Sequence, residues 1–407
     1  EKGQGRCRLR LLDITGLRRN AEDGPEGMSL WFSTVALAKA CVEVSKAQNE
    51  CLKRASKRRK GPSGASAAPP LVGVEVRADL FVNGTSYGVL WDALQSCAAG
   101  PLRLKCRDFR TEELSIASNV DLLESLDPAG VRRVDLRFNN LGLAGLCAVL
   151  PHLARFPNLV SLWLPYWLPY SNVDVRRVAP ETDSGLQSLA SLLGKLPSLR
   201  ELNFGSSRLS GRLRQLLGEL QNPLESLELA FCYLLPCDLA FLSQSLHTPA
   251  LRKLDLSGHD FSENLFQPLR NLLEEISASL LHLDLMEGRL SDAHLQALLP
   301  VLGRCSRLRY LGLFGNPFST PGLKNLVEKT APLPDLRLVV YPYPVDCYTR
   351  ELHPSPAVFG QVLQDIVDPE RFAALSAELD QMLVSSGRAH VTWTTNPYQH
   401  NSDYFAL

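Results

Sequence analysis

Hydrophobic residues recur in one short pattern through the middle of this chain. A large apolar side chain stands at the first, fourth and sixth positions of the pattern, which occurs eight times between residues 131 and 336. The copies begin at Val131, Leu159, Leu199, Leu224, Leu251, Leu280, Leu308 and Leu336. Successive starts are 25 to 29 residues apart, except for 40 residues between the second and third. Because side chains alternate along a strand, each copy predicts a short strand with one buried face.

Between these strands the apolar residues are spaced by three and four positions, which is typical of one face of a helix. Two such sets are Leu269, Leu272, Leu273 and Ile276, and Leu295, Leu298, Leu299 and Leu302. Ser291 is predicted to cap the second helix at its N-terminus, and Gly303 to follow its end.

A strand and a helix repeated about every 28 residues are typical of long, ribonuclease-inhibitor-like leucine-rich repeats. A single repeat cannot bury its apolar face alone, so neighbouring repeats must stack. The sequence therefore predicts an α/β horseshoe, with a parallel concave sheet and helices on the convex side.

An asparagine follows the strand in two of the copies, at Asn139 and Asn316. Its side-chain amide can satisfy the backbone groups of the turn that leaves the strand. Other copies have Ser207, Cys232, His259 and Gly288 at this place. We expect these substitutions to loosen the ladder of turns without breaking the strand register.

Weaker repeats come before residue 131. Leu9, Leu12, Ile14 and Leu17 form a degenerate copy, which a helix through residues 35–44 should follow, and strands are predicted at 72–82 and 102–109. Residues 53–70 are charged and then rich in Gly, Ser, Ala and Pro, which predicts a disordered loop. We divide the chain into degenerate repeats (1–130), regular repeats (131–341) and a C-terminal cap (342–407) with a helix at 369–384 and a strand at 390–393.

The long interval contains an insertion at about residues 165–185. It includes a direct duplication of the string WLPY at 163–166 and 167–170, followed by a polar stretch that predicts an exposed loop. The duplicated string has two interpretations. It forms an aromatic contact patch, or it is a strand residue with an accidental repeat.

Composition narrows the classes of partner. Lys and Arg number 43, as do Asp and Glu, so bulk charge favours neither nucleic acid nor a membrane surface, and we expect neither as a partner. The ten cysteines are scattered without a CxxC pair, which is typical of reduced thiols in the cytosol or nucleus. We expect a cytoplasmic protein, with the nucleus as the alternative location. The basic string Lys57, Arg58, Arg59 and Lys60 is either a nuclear-localisation signal or a solvated loop.

Patterns that carry catalysis or bind metal are scarce. HExxH, GxxxxGK[ST] and GxGxxG are absent from the sequence. His282 and Asp284 lie two residues apart on one predicted strand face, as an acid–base pair does, but no nucleophile accompanies them. Cys232 and Cys237 would need two further ligands to hold a metal ion. We predict a non-enzymatic protein with no cofactor and no metal site.

The concave face is the remaining candidate for function. The residue between the fourth and sixth positions should point out of the sheet, which gives the column Asp135, Trp163, Asn203, Glu228, Asp255, Asp284, Gly312 and Val340. Neighbouring columns add Arg133, Arg137, Glu201, Lys253, His282, Tyr310 and Phe314. Strands about 4.8 Å apart bring the carboxylates together, so we expect them to repel one another until a partner supplies cations. An acidic groove that ends in aromatics predicts a protein-binding surface; the alternative is an ordinary solvated sheet face.

Several strings resemble the PRAME family. They are VRRVDLRFNNLGLAGL at 131–146, GSSRLSGRL at 205–213, LESLELAFC at 224–232, LRKLDLSGHD at 251–260, LRYLGLFGNP at 308–317, PVDCY at 344–348, GRAHVTWTT at 387–395 and DYFAL at 403–407. The resemblance covers nearly the whole chain. It implies a non-enzymatic intracellular protein.

Members of that family act as substrate receptors of cullin ubiquitin ligases through an N-terminal elongin-binding helix. No such helix opens this sequence, so either it precedes residue 1 or this protein does not use it. The resemblance therefore implies a substrate receptor with elongin and cullin as partners. The alternative is a direct inhibitor that masks a kinase or transcription factor of inflammatory signalling.

Overall fold

The computed structural model describes residues 9–16, 26–58, 73–97, 100–165, 180–349 and 367–397. These residues form two compact units, which divide near residue 200. In each unit, parallel strands pair in chain order and a helix usually follows each strand. The predicted fold class, an α/β leucine-rich-repeat fold, is confirmed in both.

The N-terminal unit contributes five described strands that pair in parallel. They are β1 (Leu11–Asp13), β2 (Val74–Val82), β3 (Leu102–Glu112), β4 (Arg133–Phe138) and β5 (Ser161–Trp163). The helices are α1 (Glu26–Arg58), α2 (Tyr87–Cys97), α3 (Ile116–Ser125), α4 (Gly142–Leu153) and α5 (Pro180–Gly194). Before residue 131, each of β1, β2 and β3 is thus followed by a helix and pairs in parallel with the next strand.

The C-terminal unit contributes seven described strands, also parallel. They are β6 (Glu201–Asn203), β7 (Ser226–Glu228), β8 (Lys253–Asp255), β9 (His282–Asp284), β10 (Tyr310–Gly312), β11 (Leu338–Val340) and β12 (Thr392–Thr394). The helices are α6 (Leu213–Leu217), α7 (Pro236–Ser243), α8 (Phe266–Ile276), α9 (Asp292–Leu302), α10 (Thr320–Thr330) and α11 (Pro369–Ser385). Ser291 and Gly303 stand at the two caps of α9, as predicted.

The core lies between the sheet and the helices. In the repeat that begins at Leu251, the apolar positions Leu251, Leu254 and Leu256 are fully buried. The apolar face of α8 is buried against them at Leu269, Leu272, Leu273 and Ile276. Each buried leucine contributes about 1.5–3 kcal/mol, so the stacked leucines are the main source of stability in each unit.

A left-handed residue follows the strand in several repeats. The third residue after the strand has a positive φ at Ser206, Phe231, Gly258, Glu287 and Gly315. Only two of these five are glycine, so the repeat imposes this conformation on other residue types. A Cβ atom at Gly258 would lie 2.1 Å from the Phe231 ring, so glycine is needed there for space as well.

Several predictions about the irregular parts are revised or lie outside the described residues. Helix α1 is far longer than residues 35–44 and continues to Arg58, so residues 53–58 of the predicted loop are helical. The rest of that loop, most of the insertion with the second WLPY string, and the terminal string DYFAL lie outside the described residues. Arg59 and Lys60 of the basic string do so as well.

The C-terminal segment adds one more strand to the repeats. Helix α11 begins where predicted, and β12 pairs in parallel with β11, with Leu338 opposite Thr392. This segment therefore covers the edge of β11, which is the role expected of a cap.

Candidate functional site

The candidate site lies on the open face, which is the face of each sheet that carries the residues between the buried leucines. In the C-terminal unit the paired residues of this column are Asn203, Glu228, Asp255, Asp284, Gly312 and Val340. In the N-terminal unit the column is Phe81, Arg110, Asp135 and Trp163. Within each unit, the residues of the predicted column therefore pair with one another across neighbouring strands.

Glu228 is held by two neighbouring side chains. Lys253 Nζ lies 2.7 Å from Glu228 Oε1, and Asn203 Nδ2 donates to Glu228 Oε2 at 2.6 Å. Both oxygens of the carboxylate therefore have a donor within the protein. Glu201 lies half-buried on the same strand as Asn203.

Asp284 accepts three hydrogen bonds from groups of the same unit. They are Ser257 Oγ at 2.8 Å, Met286 N at 3.0 Å and Tyr310 Oη at 3.1 Å. Lys253 thus supplies a cation to Glu228 from within the protein, whereas the donors to Asp284 are uncharged, so the expected repulsion between carboxylates remains in this column.

Asp255 lies between these two carboxylates. It accepts a hydrogen bond from Ser257 N at 2.9 Å. Burial, and then the negative charges of Asp284 and Glu228, raise the pKa of Asp255 to about 7. The acidic column therefore holds one carboxyl group that titrates near neutral pH.

The aromatic end of the predicted groove is packed rather than open. Tyr310 is only 2% exposed and clusters with Leu338 and Val340, against which Phe314 also packs. His282 is likewise 2% exposed, and burial together with Lys253 and Arg309 lowers its pKa to about 4. Tyr310 and His282 are therefore poorly placed to contact a partner directly, since neighbouring side chains cover them.

In the N-terminal unit, arginines alternate with aromatic rings across β2 to β5. We call this set the arginine–aromatic ladder; its members in spatial order are Phe81, Arg110, Phe138, Arg137, Trp163 and Arg133. The guanidinium carbons lie 4.7, 4.9, 5.4, 4.0 and 5.3 Å from the successive ring centres. These separations are typical of cation–π contacts. The structure therefore brings the predicted residues Arg133, Arg137 and Trp163 into one surface.

Asp135 holds Arg137 of this ladder in place. It is 5% exposed, and its two oxygens accept from Arg137 Nε at 3.0 Å and Arg137 Nη2 at 2.9 Å. Asp135 is therefore a positioning residue for Arg137 rather than an exposed contact.

Sequence reasoning missed Arg110, Phe81 and Phe138. The predicted strand at 102–109 ended too early, because β3 continues to Glu112 and pairs Arg110 with Asp135. Alternation continued from Leu104 and Cys106 would have placed Arg110 on the buried face; the register shift between Cys106 and Phe109 turns it to the open face.

One serine motif in the sequence resembles that of hydrolases. Residues 84–88 read GTSYG, a GxSxG string between β2 and α2, which is the context of a nucleophilic serine in hydrolases. Ser86 is 2% exposed, and its hydroxyl accepts from Asn83 N at 3.0 Å. Its backbone φ is not among the positive values of the described chain. Ser86 therefore has a capping role at the start of α2, not the strained geometry of a nucleophile.

In the described ranges of the chain, no group of three or more His, Cys, Asp or Glu side chains has an arrangement that could hold a metal ion. Cys232 is buried, which raises its pKa to about 12, whereas Cys237 is exposed. No helix among residues the structure describes has both the length and the apolar character of a membrane span.

Comparisons with known proteins place these features in a family. A model of the PRAME C-terminal domain matches residues 93–405. Leucine-rich repeat-containing protein 14 from Xenopus laevis is 57% identical over 407 residues, which cover 99% of this chain and 79% of that protein. The Homo sapiens protein of that name is 47% identical over 401 residues, with 98% and 77% covered. PRAME family member 20 from Homo sapiens is 32% identical over 282 residues, with 69% and 55% covered.

Among solved structures, the leucine-rich repeat protein LegL7 from Legionella pneumophila has a TM-score of 0.43 and 18% identity, with 64% of this chain and 81% of that chain covered. An internalin from Listeria monocytogenes has a TM-score of 0.32 and 16% identity, with 70% and 79% covered.

The sequence strings predict this same family. Within it they predict the subfamily of protein 14, which the relatives confirm, and a greater similarity to the paralogue 14B, which stays a prediction. Because the family model covers most of the chain and relatives share about half of its residues over nearly all of its length, this chain belongs to the PRAME family.

Proposed function

We propose that this chain is a non-enzymatic scaffold that binds protein partners on its open face, and that it acts as the substrate receptor of a cullin–elongin ubiquitin ligase. Membership of the PRAME family supports the interaction role. The resemblance described above supports the narrower assignment to a ubiquitin ligase. We expect elongin and cullin to bind elsewhere than the open face, and the protein to be cytoplasmic.

One observation carries the interaction role: charged side chains of the open face are held in place by bonds within the protein. Glu228 is fixed by Lys253 and Asn203, and Arg137 is fixed by Asp135. A partner that binds such a surface loses less side-chain entropy than one that must order it first. Fixed charges also discriminate between partners, because a like charge placed opposite them is disfavoured.

The test reverses charge on the open face while keeping its ion pair. In the double variant Glu228→Lys with Lys253→Glu, both charges change place. The matched control exchanges Arg270 and Glu274, an ion pair within α8 on the helix side. Each protein is purified with an affinity tag from the same cells, and its partners are quantified by mass spectrometry.

The proposal predicts that the open-face variant recovers at least about tenfold less of its substrate partners than the unaltered protein does. A tenfold change in affinity corresponds to about 1.4 kcal/mol. Elongin and cullin should be recovered equally with all three proteins, and inhibition of the proteasome should raise the level of the lost partners only with the unaltered protein and the control.

Other results would overturn parts of the proposal. Retention of every partner by the open-face variant would exclude Glu228 and Lys253 as binding residues. Loss of a kinase or transcription factor from that variant, with no elongin or cullin on any of the three proteins, would replace the ligase receptor by the direct inhibitor.

A further inference from the structure

The arginine–aromatic ladder differs from the acidic column because one of its cations is poorly neutralised. Arg110 Nη2 lies 3.8 Å from Glu112 Oε1, and Arg110 Nε lies 3.9 Å from Asp135 Oδ2. Both distances exceed hydrogen-bond length, which is about 2.7–3.2 Å. Arg110 Nε is buried and makes no hydrogen bond to any residue that the structure describes, so the terminal nitrogens are the donors of Arg110 that a ligand can reach. Arg137, by contrast, has its fork occupied by Asp135.

Two aromatic rings lie within cation–π distance of the Arg110 guanidinium. Its carbon lies 4.7 Å from the centre of Phe81 and 4.9 Å from the centre of Phe138. An aromatic ring contacts the face of a guanidinium, which leaves the donors at the edge for a ligand. The edge of a fixed guanidinium matches the two oxygens of a carboxylate.

One of the two rings near Arg110 is exposed. Phe138 is 49% exposed, although it is among the larger apolar side chains of the unit. A ligand whose carboxylate meets Arg110 would therefore place its neighbouring group against Phe138. An apolar neighbour would be favoured there, because it removes the ring surface from water.

The surrounding charges favour a peptide over a nucleic acid. Asp108, Glu112 and Asp135 lie among the three arginines of the ladder, with Asp108 4.0 Å from Arg133. These carboxylates cancel the long-range positive field that a phosphate backbone needs. A single carboxylate at Arg110 does not require such a field.

We propose that the arginine–aromatic ladder is a binding site for an acidic peptide segment of a protein partner, in which a carboxylate binds the edge of Arg110 and an adjacent apolar side chain packs on Phe138. This inference rests on the proposed interaction function and names the chemistry of the partner.

The experiment measures binding of three fluorescent probes to the full chain by anisotropy. The first probe is a short peptide that alternates glutamate with leucine. The second is its glutamine counterpart, and the third is a single-stranded oligonucleotide with the same number of negative charges. We expect the glutamate peptide to bind at least tenfold more tightly than either of the others.

Variants of the ladder locate the site. Arg110→Met keeps an unbranched apolar stem but removes the charge and the donors, and should weaken binding of the glutamate peptide at least tenfold. Arg110→Lys keeps the charge without the planar fork, and should weaken it at least fivefold. Phe138→Ala should weaken it about fivefold. The matched control, Arg103→Met, alters an exposed arginine of the same strand and should change binding less than twofold.

Thermal melting of each variant shows whether it is folded, and the comparison is made only among variants that melt as the unaltered protein does. Equal binding of the glutamine peptide, preference for the oligonucleotide, or full binding by Arg110→Met or Arg110→Lys would each overturn the proposed site. The peptide assay uses purified chain, so it is independent of the partners recovered from cells. If the peptide does not bind but elongin and cullin are recovered from cells, the proposed peptide site is wrong and the ligase-receptor proposal is retained. If the peptide binds but elongin and cullin are not recovered, the peptide site is retained and the ligase-receptor proposal is wrong.

Discussion

At the scale of single residues, Asp255 shows how a repeat fold changes the chemistry of a side chain. The strand pairs place Asp255 between Glu228 and Asp284, and burial adds to the repulsion of their charges. A carboxyl group ordinarily titrates near pH 3.9, whereas the pKa of Asp255 is raised to about 7. The folded protein therefore binds a proton at Asp255 in a range of pH where the unfolded chain does not.

The raised pKa of Asp255 should make the free energy of unfolding depend on pH. A raised pKa in the folded state means that stability falls as pH rises from about 4 to about 7. Asp255→Asn removes this loss, so the variant should be more stable than the unaltered protein by about 2 kcal/mol at pH 8, since each pKa unit corresponds to about 1.4 kcal/mol and partial solvation reduces the full effect. At pH 4 the difference should vanish. Urea unfolding at both pH values measures it.

Asp260→Asn is the control for this comparison. Asp260 is exposed; desolvation acts to raise its pKa, but the hydrogen bonds from Ser262 and the charge of Arg289 outweigh it and lower the pKa. The control should gain no stability at pH 8. A gain by Asp255→Asn that is the same at pH 4 and pH 8 would contradict the assigned titration.

At the scale of the structural element, the turns that leave the strands form a ladder across repeats. Asn316 Oδ1 accepts from Gly288 N at 3.1 Å and Leu290 N at 2.9 Å, and its Nδ2 donates to the carbonyls of Leu285 and Leu313. One amide thus satisfies four buried backbone groups, two of each kind.

Other residue types keep part of this ladder. His259 Nδ1 donates to the Leu256 carbonyl at 2.8 Å, three residues back, as Asn316 does to Leu313. Cys232 Sγ lies 3.4 Å from the Phe204 carbonyl of the preceding repeat. Fewer bonds are made, yet the register of β7, β8 and β9 continues, as the sequence predicts.

Replacing the asparagine should therefore be costly. Asn316→Ala leaves two buried N–H groups and two carbonyls without this partner, and one unsatisfied buried group costs about 1–3 kcal/mol. We expect a loss of about 3 kcal/mol, because part of the cost is relieved by local adjustment. Denaturant unfolding measures it. Asn271→Ala, on the exposed side of α8, should cost less than about 0.5 kcal/mol. A similar effect of both substitutions would show that the ladder adds nothing.

At the scale of the whole molecule, the last repeat depends on the segment that covers it. Leu375, Leu379 and Leu383 of α11 are buried, and Lys324 Nζ of α10 lies 2.6 Å from Glu378 Oε1. Arg388 donates to the Leu336 carbonyl at 3.2 Å, close to where β11 begins. In a repeat protein each unit is stabilised mainly by its neighbours, so a weakened cap should affect the adjacent repeats first.

Leu379→Ala tests this dependence. Truncation of a fully buried leucine costs about 2–5 kcal/mol, and Leu379 is 1% exposed. We expect amide hydrogen exchange to quicken in β10 to β12 before it changes in β6 and β7. Val384→Ala alters a residue of the same helix that is 64% exposed, and should leave exchange unchanged. Uniform quickening across the C-terminal unit would mean that the unit unfolds as a single cooperative block.

The sequence by itself determined the repeat, the strand register and the family. A period of about 28 residues, with apolar positions spaced for a strand and then for a helix, leaves one way to bury the leucines. The same register also placed Asp255 between two carboxylates, because side chains on neighbouring strands must face the same side. Helices α8 and α9 followed from local spacing, whereas the length of α1 did not, since its residues have a weaker apolar pattern.

Only the tertiary structure decided which members of the open face are buried, paired or exposed. Tyr310 and His282 have the register of contact residues, but packing against neighbouring repeats covers them. The arginine–aromatic ladder depends on distances across four strands, from Phe81 to Trp163, and no local pattern states which arginine lies over which ring. The physical reason is that register is set by spacing along the chain, whereas burial, pairing and pKa depend on neighbours that are distant in sequence.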